Sequence, residues 1–134
     1  MPHLVVLYSG NLEAETDMSV LCRRLADAML GVLDEQGQQV FPTGGVRVFA
    51  YPAAHYAVAD GQRDYAFAYL NLRMGRGRSA AVKQRAGETV LAAAKAHLEP
   101  VFARRYIGLT VQVDEGQEVF DAKHSTIHPL FRKP

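Results

Sequence analysis

The chain has 134 residues, 49% of them hydrophobic, enough for one compact domain that buries roughly two-thirds of the surface its unfolded form exposes. Fifteen Lys and Arg against fourteen Asp and Glu leave a formal net charge of +1, which argues against an overall field drawing the chain onto nucleic acid or an anionic membrane. The single cysteine, Cys22, excludes an intrachain disulfide framework, and no apolar run is long enough to span a bilayer. The start, Met1-Pro2-His3 followed by Leu4 to Leu7, lacks the charged head and long apolar core of a signal peptide, so a cytoplasmic location is expected.

In chain order, Leu4 to Tyr8 is a short apolar run ended by Ser9-Gly10-Asn11, the pattern of a buried strand. Met18, Leu21, Cys22, Leu25, Met29 and Leu33 then recur at three- and four-residue spacing, which predicts a helix capped by Thr16 or Asp17, with Cys22 as a core thiol. Gly37, Pro42, Gly44 and Gly45 mark a loop before a second strand at Val46 to Tyr51. Asp64 to Leu72 alternates Ala and Leu with Tyr, Phe, Tyr and Asn, a third strand. Gly75-Arg76-Gly77-Arg78-Ser79 opens a second helix carrying Val82, Ala86, Val90, Ala93, His97 and Val101, and Ile107 to Val113 is a fourth strand.

This order is two consecutive βαβ units, an α+β fold with a four-stranded sheet and both helices on one face, because right-handed crossovers place them together. The opposite face then carries Tyr65, Phe67 and Tyr69, too apolar to stay wet, and so predicts an oligomer. Residues 1–134 are read as one domain whose tail, 117–134, has Phe120, Ile127, Leu130 and Phe131 without helical period. Such a tail packs either on a neighbouring subunit or back on its own chain.

Proline at position two bears on chemistry, because removal of Met1 exposes a secondary amine and no other residue type supplies one there. A free α-amine titrates near ~8, and burial or nearby cations lower that value and make a base. A buried strand begins immediately after Pro2 and would hold the amine rigidly at the end of a sheet. Arg47 lies on the alternate face of the second strand, and Arg76 and Arg78 lie in a glycine-rich turn at a helix N-terminus, where exposed N–H groups and the helix dipole favour a carboxylate. The same run, Arg73, Arg76, Arg78 and Arg85, equally describes a solvated basic edge. His3 adjoins the amine, either orienting groups around it or serving the strand alone. His124 and His128 are four apart, but Pro129 and the missing helical period argue for two tail histidines over a metal pair, and no metal site is expected.

Several short segments in order make the chain resemble the 5-carboxymethyl-2-hydroxymuconate isomerase family of the tautomerase superfamily. They are Pro2-His3, Tyr8-Ser9 with Asn11-Leu12, Gly45-Val46-Arg47, Ala59-Asp60-Gly61-Gln62 with Asp64-Tyr65-Ala66-Phe67, Gly77-Arg78-Ser79, Gln84 with Ala86-Gly87-Glu88, and His128 with Leu130-Phe131. The resemblance implies a homotrimer and a cofactor-independent isomerase acting on an unsaturated 2-hydroxy or 2-keto di- or tricarboxylate in the breakdown of aromatic compounds. In that reading Pro2 is the acid/base, Arg78 is catalytic, and Arg47, Arg76, Arg78 and His3 bind substrate. Leu7 stands where the family often has an acid, the linker from Gly31 to Gly45 is longer, and Arg63, Arg73 and Arg76 add positive charge. The alternatives are another N-terminal-proline lyase, hydratase or dehalogenase, or a non-catalytic oligomeric anion-binding module.

Overall fold

The structure, a computed structural model, describes residues 2–132. The expected removal of Met1 and the last two residues of the tail therefore lie outside the described residues. Four strands, β1 (His3–Ser9), β2 (Arg47–Ala53), β3 (Ala66–Met74) and β4 (Ile107–Glu115), form one mixed sheet in the order β2-β1-β3-β4. β1 runs parallel to β2 and antiparallel to β3, and β3 runs parallel to β4. Each parallel pair is bridged by a helix, α1 (Met18–Leu30) or α2 (Ala80–Phe102). This is the predicted double βαβ arrangement.

The two-residue side-chain period divides the sheet cleanly. Leu4, Val6 and Tyr8 of β1, with Ala66, Ala68, Leu70, Leu72 and Met74 of β3, are buried in one cluster with Leu21, Leu25 and Met29 of α1 and Ala86, Val90, Ala94, Leu98 and Val101 of α2. Both helices thus cover one face. The other face presents Leu7, Tyr51, Phe49, Phe67 and Tyr69, of which Leu7 and Tyr51 are 42% and 58% exposed. Register places Tyr51, Leu7 and Tyr69 in one row across three strands.

Element ends differ from the sequence reading for local reasons. Asp17 caps α1 by accepting from the Val20 amide at 3.1 Å, as expected, but the helix stops at Leu30 with Gly31 as its cap. Leu33 lies beyond it in a tight hairpin, where Asp34 Oδ1 accepts from the amides of Gln36 and Gln38. Cys22 is half-buried rather than a core thiol. β3 begins at Ala66, since the Tyr65 amide is turned onto Arg63 O at 3.0 Å; beside it Asp64 pairs with Arg105 at 2.6 Å and the Tyr65 hydroxyl donates to Asp60. β2 includes Pro52, which an edge strand tolerates.

The tail returns to its own chain, with a single turn, His128–Phe131, lying against the Thr43–Gly45 turn. Val119, Phe120 and Leu130 stay largely exposed.

Candidate active site

β1 and β2 start, and β3 and β4 finish, at the same end of the sheet. Register puts His3 opposite Arg47 on one side and Arg73 on the other, so a row Arg47–His3–Arg73 crosses three strands on the face away from the helices. Pro2 precedes this row and is buried. Its carbonyl accepts from the Arg47 amide at 3.2 Å, which extends the parallel ladder by one residue and fixes the Pro2 backbone. Alternation from Leu4 turns Pro2 toward the helix side of the sheet end.

The Arg47 guanidinium is held back on the turn that precedes β2, with Nη1 donating to the carbonyls of Gly44 at 2.7 Å and Val46 at 3.0 Å. Arg78 reaches the same end because the turn after β3 doubles back: its Nη1 donates to Gly75 O at 3.2 Å and its Nη2 to Val40 O at 3.3 Å, while its guanidinium lies 5.2 Å from the centre of the Phe41 ring. Arg76 leaves this group. It donates to Gly116 O at 2.7 Å and to the Gln117 side chain, and so clasps the chain leaving β4. The mouth of α2 is also occupied internally, since the Ser79 hydroxyl that caps the Val82 amide donates to Glu35 at 2.8 Å.

Electrostatics at this end disfavour protons. The His3 pKa is lowered, first by partial desolvation against the sheet, next by the positive chain terminus, and then by Arg47 and Arg73. The sequence alone marks Arg73 only as added positive charge on a basic edge. Strand alternation at the end of β3 is the signal that places it beside His3, and its partner is Glu118 at 3.3 Å. Sequence reasoning also missed the loop 39–45, whose carbonyls hold both Arg47 and Arg78, because backbone carbonyls leave no residue signature.

Among the described residues, no group of three or more His, Cys, Asp or Glu side chains is placed to hold a metal ion, and no helix is long and apolar enough to cross a membrane.

An α+β domain of this topology, with a buried proline at the sheet end immediately before the Arg47–His3–Arg73 row, is tautomerase-like. Residues 2–131 match the 5-carboxymethyl-2-hydroxymuconate isomerase family, and the chain belongs to it. It is 29% identical over 132 residues to the 5-carboxymethyl-2-hydroxymuconate Delta-isomerase of Escherichia coli, covering 98% of this chain and 100% of that one. A solved 5-carboxymethyl-2-hydroxymuconate delta-isomerase superposes with a TM-score of 0.96 at 60% identity, covering 100% of this chain and 95% of that chain. A 5-carboxymethyl-2-hydroxymuconate isomerase from Deinococcus radiodurans R1 gives 0.88 at 34% identity, covering 98% and 95%.

Proposed function

We infer that this protein is a 5-carboxymethyl-2-hydroxymuconate isomerase that works through the amine of Pro2. The activity follows from family membership across residues 2–131. The assignment of the amine rests on one observation above the others: Pro2 is buried at the sheet end with its carbonyl bonded to the Arg47 amide, so an amine freed by loss of Met1 has a fixed, partly dry position.

The reaction breaks the enol O–H bond of a conjugated dienol and forms a C–H bond at a distant carbon, while the double bonds shift toward a ketone. The neutral amine takes the enol proton, and the resulting ammonium delivers a proton to carbon. Burial and nearby guanidinium groups both disfavour the charged amine, which leaves it a competent base near neutral pH. Arg47 and Arg78 hold carboxylates and stabilise the negative charge that spreads over the dienolate. His3 lines the approach, kept neutral beside Arg47 and Arg73. Arg76 is engaged by Gly116 O and the Gln117 side chain instead of being turned to the carboxylates. No cofactor is needed for this proton transfer.

The outer sheet face supports assembly as a homotrimer, which would cover Leu7, Tyr51, Phe67 and Tyr69, with exposed Val119 and Phe120 reaching a neighbouring subunit. Titration of the Pro2 amine by nitrogen NMR on proline-labelled, processed protein tests the assignment. The expected result is a pKa below the ordinary α-amine range that coincides with the acidic, ascending limb of the kcat/KM profile, where the neutral amine forms. An ordinary amine pKa unrelated to that profile would refute it.

A further inference from the structure

The two arginines assigned to carboxylates each take one of their two backbone acceptors from the same loop, the others being Val46 O and Gly75 O. Val40 O and the Phe41 ring receive Arg78, and Gly44 O receives Arg47. The Gln39 side chain ties the loop across itself, donating to Phe41 O at 2.7 Å and to the Thr43 hydroxyl at 3.1 Å, and the Gly45 amide closes a turn on Pro42 O. A shift of this loop would therefore move both guanidinium groups at once. Carboxylate recognition by a planar fork tolerates little such movement.

A second segment holds the loop from outside. Gly44 is buried, and a Cβ there would meet the His128 Cα at 2.8 Å and its backbone N and Nδ1 at 3.1 Å. Only glycine allows so close an approach of the two backbones. His128 itself is fixed by the Ser125 hydroxyl, which accepts from its amide at 3.3 Å and from that of Ile127 at 3.0 Å. The His128 Nε2 is shielded from solvent and has no hydrogen-bond partner among the described residues. An unpaired buried nitrogen lowers stability, and the ring's contact with the loop is one of packing, its Nδ1 lying 3.1 Å from where a Gly44 Cβ would stand.

We propose that His128 is a positioning residue: its seat on Gly44 latches the loop 39–45 and thereby sets Arg47 and Arg78 together for the substrate's carboxylates. This rests on the reading that those arginines bind carboxylate. It also gives the C-terminal turn a role within its own subunit, whatever Phe120 and Leu130 contact.

The test is steady-state kinetics with 5-carboxymethyl-2-hydroxymuconate on processed, full-length His128→Ala, His128→Phe, Gly44→Ala, Arg47→Ala and Arg78→Ala, each with its unfolding midpoint recorded. Loosening the latch is expected to raise KM roughly ten-fold in His128→Ala, with little change in kcat. His128→Phe, which keeps a planar ring on Gly44, should recover most of the affinity. Gly44→Ala should shift KM in the same direction by lifting the turn, and it answers the question if His128→Ala does not fold. An unchanged KM in His128→Ala beside a raised KM in Arg47→Ala and Arg78→Ala would overturn the latch and leave the carboxylate reading standing. Unchanged KM in both arginine variants would overturn that reading and the latch with it. Equal losses in His128→Phe and His128→Ala would contradict a role through shape.

Discussion

The guanidinium of Arg78 lies 5.2 Å from the centre of the Phe41 ring, and Phe41 is completely buried. The ring's place is set by the core, so it serves as a fixed apolar floor for a cation whose Nη1 and Nη2 reach two different carbonyls. Lysine has neither the plane nor the fork. Arg78→Ala is expected to lower kcat/KM by roughly ten- to a hundred-fold, the worth of one charge-assisted hydrogen bond, and Arg78→Lys should recover little of it. Steady-state kinetics on both variants checks this, and full recovery by lysine would show that only charge matters.

The row Tyr51, Leu7, Tyr69 crosses the open face of the sheet. If the proposed trimer is built on that face, Leu7→Arg places an unpaired charge at its centre and should shift the mass in light scattering from trimer toward monomer. An unchanged trimer would locate the contact elsewhere. Activity should fall with the trimer only if a neighbouring subunit completes the site.

His97, on the buried face of α2, has Nδ1 3.0 Å from Arg24 Nη1 and Nε2 2.8 Å from the Thr16 hydroxyl. Arginine can only donate, so Nδ1 is unprotonated and Nε2–H donates to Thr16. Burial first, then Arg24, lowers the His97 pKa below its ordinary 6.5. The unfolded chain therefore binds more protons than the folded one as pH drops through 6.5, and this residue's contribution to stability is lost below that point. Denaturant midpoints are expected to fall more steeply between about pH 7.5 and 5.5 in the parent than in His97→Gln. Parallel curves would contradict the buried neutral imidazole.

Much of this architecture is legible in the sequence. Even-numbered Ala and Leu in β3 and the three- and four-residue spacing in both helices are direct readings of which side chains face the core. The ends of elements are less so: Leu33 continues the α1 period on paper, but Gly31 caps the helix and Asp34 starts a hairpin. Some of the segments that carry the family resemblance prove to be structural pins. Ser9 is fully buried, its hydroxyl accepting from the Phe67 amide at 2.9 Å and donating to Asn11 at 2.6 Å, while Asn11 in turn donates to the Tyr65 carbonyl. Of the site, Pro2, His3 and Arg47 could be placed from strand order alone. The hold on Arg78 could not, because it comes from carbonyls of Val40 and Gly75, nor could the diversion of Arg76 to Gly116.

The amine of Pro2 is most directly tested by comparing two preparations of the same chain, one processed and one retaining Met1, each identified by intact mass and assayed side by side for ultraviolet ketonisation of 5-carboxymethyl-2-hydroxymuconate. In the retained form the proline nitrogen is an amide without a basic lone pair. The account predicts turnover in the processed protein and its loss in the Met1-retaining form. Equal turnover in both would contradict catalysis by the Pro2 amine.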